Sequence, residues 1–204
     1  MSDVKSPFLI YPNFLSPLMC DKILSMRDLT PEAEDTGLCI INPNIDLNSI
    51  IAEKVNDILP EVIKHYNTNI LDMTVPILYE LKQGANNPPQ ADNSRHLNGK
   101  WVQVFPRDIS GYIALCNYND NVPFDGNFEV YGGKYEFPQH EFGFNPQIGT
   151  LILHPSGPHF IHQHTPMEYG NLFYIQFFFK SENTYLYNPA DFPGDYTNWF
   201  REVQ

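Results

Sequence analysis

Beyond Val75 the chain loses helical periodicity. It runs in strand-length segments, "VPILYELKQG", "WVQVFP", "GYIALCNYND", "FEVYGGKYEFP", "GTLILHPS" and "NLFYIQFFFK", each cut from the next by Gly, Pro, Asn or Asp. Many short strands joined by stiff turns close into a sandwich or a barrel. The 18 prolines and the 14% aromatic content suit that architecture.

The segment before Val75 reads differently. In "PFLIYPNFLSPLMCDKILSM" an extended piece gives way to a short helix with Ser16 as N-cap, Pro17 at its first position and Leu18, Met19, Ile23 and Leu24 on one face. "TGLCIIN" reads as a strand. "LNSIIAEKVNDILPEVIKHYN" repeats Ile51, Val55, Ile58 or Leu59, Val62 and Tyr66 at helical spacing, with Pro60 expected to kink or split it. The expected fold is mainly β with an α+β character, a sandwich or barrel with N-terminal supporting helices. It forms one domain over 1–204, with support in 1–74, the β core in 75–180 and an aromatic C-terminal segment in 181–204.

Charge narrows the partners. Twelve basic against 24 acidic residues give a net charge of −12, and no run of Lys or Arg interrupts it. Such a surface repels phosphate backbones and anionic lipid, so neither nucleic acid nor a membrane is expected as partner. No apolar run approaches the roughly 20 residues of a membrane span, and no signal peptide is read at the start. Cys20, Cys39 and Cys116 stand singly, as buried thiols do in a reducing compartment. The tail carries Phe192, Tyr196, Trp199 and Phe200, apolar enough to pack on the domain, on a protein partner or on a second copy.

Four of the seven histidines, His154, His159, His162 and His164, fall in "LILHPSGPHFIHQH". Strand alternation puts His162 and His164 on one face. Histidines that are solvated or locally hydrogen-bonded at a strand end are one reading. A second takes Asp92 and His159, each at a strand end, as two members of a two-histidine, one-carboxylate metal site. A third takes His162, His164 and Glu168, at HxHxxxE spacing, as a cupin-like set. His96 is a further candidate ligand and Arg107 a candidate cation at the mouth. No serine-hydrolase elbow, phosphate loop or dinucleotide fingerprint is present.

The order of "YPNFLSPLMCDKIL", "RDISGYIALCNYND", "FEVYGGKYEF", "NPQIGTLILHPSGPHFI" and "GNLFYIQF" resembles the Fe(II)/2-oxoglutarate oxygenases of the prolyl-hydroxylase type, in particular small members from tailed phages of cyanobacteria. The resemblance implies a double-stranded β-helix, that is a jelly roll, with Fe(II) and 2-oxoglutarate as cofactors, and metal ligands at Asp92, His159 and the position of Gln90, where the family has histidine. It places the anchors of the 2-oxoglutarate carboxylate at Ala114, in place of a tyrosine, and at Leu172 or Gln176, in place of an arginine or lysine. Three substitutions in one pocket imply a non-catalytic protein-binding or assembly module, a phage virion component or a protein of the host cytoplasm. The alternative is an active hydroxylase that uses Asp92 and His159 with an atypical third ligand.

Overall fold

A computed structural model describes residues 6–28, 37–118, 132–144 and 147–182. The aromatic tail from 183 onward lies outside the described residues. The remaining chain is mostly β, with every strand pairing antiparallel.

The major sheet takes the order β1 (Leu9–Tyr11), β11 (Leu151–Pro155), β8 (Ile109–Tyr118), β13 (Asn171–Ser181), β4 (Ile77–Leu81) and β2 (Leu38–Ile41), with β3 (Ile70–Met73) also paired to β13. The minor sheet runs β10 (Phe142–Phe144), β9 (Tyr135–Phe137), β12 (His162–His164) and β5 (Asn87–Gln90). A separate ribbon pairs β6 (Ser94–Leu97) with β7 (Lys100–Gln103). The expected jelly roll is therefore present as two facing antiparallel sheets.

Alternation divides the long strands between two cores. Ile109, Ile113, Leu151, Leu153, Phe173, Ile175, Phe177 and Phe179 face one way and pack with the helices. Tyr112, Ala114, Ile152, Leu172 and Tyr174 face the other way, toward the minor sheet. Gly111 sits where a Cβ would fall 2.6 Å from the Phe177 ring, so only glycine lets β8 and β13 stay in register there.

Both predicted helices form. Helix α1 (Pro17–Ser25) is capped by the Ser16 side chain, which accepts from the Met19 amide at 3.3 Å. It buries Cys20, Ile23 and Leu24, whereas Leu18, expected on that face, is 80% exposed. Burial, then the charge of Asp21, pushes the Cys20 thiol up to about 12, in keeping with an inert buried group.

Helix α2 (Leu47–Tyr66) is not split by Pro60. Pro60 lies on the exposed side, and the buried Ile51, Val55, Val62 and Tyr66 hold the helix through it. Their burial contributes about 1.5–3 kcal/mol each, against roughly 3 kcal/mol for an internal proline. No helix among the described residues is long and apolar enough to cross a membrane.

Candidate metal centre

The inner face of the major sheet is apolar except at one end. There Ser110 on β8 pairs with His154 on β11 and with Phe178 on β13, and Gln176 follows two residues before Phe178. Asp92, in the loop after β5, is 5% exposed and enters this polar end from the opposite sheet. Ser110 Oγ donates to its Oδ2 at 2.5 Å, Gln176 Nε2 donates to its Oδ1 at 3.1 Å, and Ser156 completes the chain by donating to Ser110 at 2.7 Å. The carboxylate orientation is fixed by neutral donors.

His162 closes the site from β12. Its Nδ1 lies 3.1 Å from the Phe160 carbonyl and can only donate to it. With that N–H donated, Nε2 faces Asp92 Oδ2 3.5 Å away and has no hydrogen-bond partner among the described residues. Two buried polar atoms that face one point without a hydrogen bond between them are what a cation or a proton satisfies.

His154 supplies a third donor. Asp92, His154 and His162 each offer one ligand atom, all within 4.8 Å of one another and all buried. Three donors of one ion at roughly 2.1 Å each lie about 3.0–3.6 Å apart, so a pair at the 4.8 Å limit would have to close by about 1.2–1.8 Å on a metal. Burial, and then the charge of His162, keep the His154 pKa well below its usual value. The ring is neutral, as a ligand must be. The donor set fits a first-row divalent ion.

The aromatic wall behind these ligands is built by two glycines. Gly132 and Gly133 both have left-handed backbone, and a Cβ on Gly132 would stand 2.1 Å from the Pro166 carbonyl. The pair of glycines turns the chain into β9, where Tyr135 and Phe137 point inward. Tyr135 stacks on Tyr112 at 4.4 Å, and Tyr112 meets Tyr174 at 5.2 Å. Burial, then the charge of Asp92, pushes the Tyr135 phenol well up, so it stays protonated. His164, the next inward residue of β12, is pushed down to about 3 by burial and by His162. Its two ring nitrogens and the Tyr112 hydroxyl have no hydrogen-bond partner among the described residues.

Several sequence candidates lie elsewhere. His159 rides on a 3-10 turn (Pro158–Phe160), half-buried, with its carbonyl accepting from His140 at 2.6 Å. That turn sends Phe160 into the core and delays the inward histidine to position 162, so the structure joins Asp92 to His154 and His162 and not to His159. Gln90 is the direct cross-strand partner of His162, and it also borders a cavity of about 100 Å³ with Arg95, His96 and Trp101. His96 contacts Trp101 on the ribbon. In the HxHxxxE set, His162 and His164 share a buried face but Glu168 is exposed. Arg107 lies over the Phe178 and Phe105 rings, with Nη1 3.4 Å from the Asp92 carbonyl.

The positions assigned to the 2-oxoglutarate carboxylate do not fit a diacid. Leu172 is 0% and Ala114 1% exposed, and both belong to the apolar inter-sheet core. Gln176 is committed to Asp92. None of the three side chains is itself a cation.

His154 was missed because nothing local distinguishes a buried histidine inside "LILHPS" from a strand residue. The one available signal was alternation: Ile152 and His154 share a face that Leu151 and Leu153 do not.

No sequence-family description matches the chain, and no curated protein matches it in sequence. Solved structures do. A viral collagen prolyl hydroxylase from Paramecium bursaria Chlorella virus-1, solved with 2-oxoglutarate, superposes with a TM-score of 0.61 at 16% identity over 85% of this chain and 96% of that one. A Pseudomonas putida prolyl-4-hydroxylase gives 0.60 at 14% identity, covering 87% and 94%. A Trichoplax adhaerens prolyl hydroxylase, solved with a peptide fragment of a hypoxia inducible factor oxygen degradation domain, gives 0.59 at 15%, covering 86% and 84%. The chain thus has the jelly-roll fold of the prolyl-hydroxylase-like 2-oxoglutarate/Fe(II) oxygenases, with a potential Asp-His-His metal site inside it.

Proposed function

We propose that this protein is an Fe(II)-dependent oxygenase whose metal is held by Asp92, His154 and His162. The observation that carries this reading is the unsatisfied Nε2 of His162, aimed at Asp92 in a buried set of two imidazoles and one carboxylate. An ion held by these three side chains would supply redox-active Lewis-acid chemistry. The chain's own part is to orient and dry the site. Ser110 and Gln176 hold the carboxylate, Phe160 fixes the His162 tautomer, and the Tyr112, Tyr135 and Phe137 rings exclude water. Ala114, Leu172 and Gln176 offer no positive charge to the carboxylate of 2-oxoglutarate, and Gln176 is engaged with Asp92.

Those same three positions favour a second reading, in which the jelly roll is kept as a non-catalytic module for a protein partner or a second copy, in a host cytoplasm or a virion. Oxygen consumption by the Fe(II)-loaded protein, measured with and without 2-oxoglutarate, separates the two. The oxygenase reading expects iron-dependent uptake that Asp92→Ala abolishes, and succinate release would establish the diacid as reductant. The module reading expects no uptake under either condition.

A further inference from the structure

The third donor of the site already has a partner. His154 donates from Nδ1 to the Pro155 carbonyl at 2.8 Å, which fixes its tautomer and leaves a lone pair on Nε2. The Tyr135 hydroxyl donates to that lone pair at 2.8 Å. One lone pair serves a proton donor or a metal, not both.

We infer that Tyr135 is a latch on His154, a positioning residue that holds the imidazole by its metal-binding nitrogen and must release it before an ion is bound. The inference rests on the metal reading of Asp92, His154 and His162. Tyr135 suits the part because its ring is fixed on both sides, stacked on Tyr112 and edge-on to Phe137 at 5.1 Å. Its hydroxyl is buried and needs a partner in either state. His164 adjoins the same ring with centroids 5.0 Å apart, and both its nitrogens lack a hydrogen-bond partner among the described residues, so a second polar side chain stands next to the latch. The latch gives a reason for a buried histidine with two unsatisfied nitrogens, and it makes metal loading an exchange of one hydrogen bond for one coordinate bond.

The test is Mn(II) titration of the full chain, followed by the electron paramagnetic resonance of free Mn(II), in wild type, Tyr135→Phe and Asp92→Ala. Removing the hydroxyl removes one competing neutral hydrogen bond, so Tyr135→Phe should bind Mn(II) about 3- to 10-fold more tightly than wild type. Equal or weaker binding by Tyr135→Phe, with wild type clearly tighter than Asp92→Ala, overturns the latch and leaves the metal site standing. If neither wild type nor Tyr135→Phe exceeds Asp92→Ala, the metal reading fails and the latch with it.

A second measurement avoids the variant. On Zn(II) loading of wild type, the nitrogen-15 resonance of His154 Nε2 should leave its hydrogen-bonded position and the Tyr135 hydroxyl proton should shift with it. A hydroxyl proton that does not move while the metal binds overturns the inference.

Discussion

Asp92 Oδ2 and His162 Nε2 face each other across 3.5 Å with no hydrogen bond between them, while Nδ1 of the same ring donates to the Phe160 carbonyl. An unfilled acceptor pair in a dry site is unfavourable unless a proton or a cation enters it. Gln90 is the cross-strand partner of His162, so its side chain leaves the strand on the same face.

Gln90→His therefore adds an imidazole beside an existing one. The variant should bind Mn(II) or Fe(II) more tightly than wild type, since an imidazole nitrogen is a far better donor to such an ion than an amide oxygen. Equilibrium dialysis of both proteins checks this. Unchanged affinity would place Gln90 outside the metal's reach and assign it to the cavity it shares with Arg95, His96 and Trp101.

Rebuilding the family's cation at position 172 should fail for a packing reason. Leu172 is fully buried in the inter-sheet core, so Leu172→Arg is expected to destabilise the fold by about 3 kcal/mol or more, measured by urea unfolding. Gln176→Arg is the milder change. It puts a guanidinium against Asp92 and should lower divalent-ion affinity, because the pair neutralises the carboxylate the ion needs.

Acid should weaken the metal-free protein well above the range where carboxylates titrate. His154 and His164 are held neutral by burial, His164 down to about 3, while the same side chains in the unfolded chain titrate near 6.5. As pH falls through about 6.5 the unfolded state binds protons that the folded state refuses. Stability is then full above that value and is lost below it at about 1.4 kcal/mol per pH unit for each histidine. Between about pH 7.5 and pH 5.5 the two together predict a loss of roughly 3 kcal/mol in unfolding free energy. A urea midpoint that does not change over this interval would contradict the neutral, buried state of both rings.

Much of the architecture could be read from periodicity, and the failures have specific physical causes. The long strands β8, β11 and β13 announce themselves because both their faces are buried, and α2 because its apolar stripe repeats over twenty residues. Strand β5 was hidden by its own composition: "NPPQ" reads as a loop, and its two prolines are tolerated because β5 is the edge of the minor sheet. Asp92 was legible as a polar residue beside a strand. His159 stood in for His162 because a 3-10 turn between them shifts the phase of alternation, and no residue type marks that turn against a plain strand entry. His154 was illegible as a candidate ligand because its place beside Asp92 depends on a register, His154 opposite Ser110, that only the sheet pairing supplies.

The most direct measurement is anaerobic Fe(II) binding by wild type against His154→Ala, by equilibrium dialysis with metal analysis of the protein fraction. The account predicts one bound iron per wild-type chain. His154→Ala should lose affinity by about a hundredfold or more, since even the outer partners of metal ligands change affinity by 10- to 100-fold. Wild-type protein that holds no iron, or equal affinity with and without the His154 imidazole, would contradict the Asp92, His154, His162 site and return the search for a third ligand to Gln90 and His159.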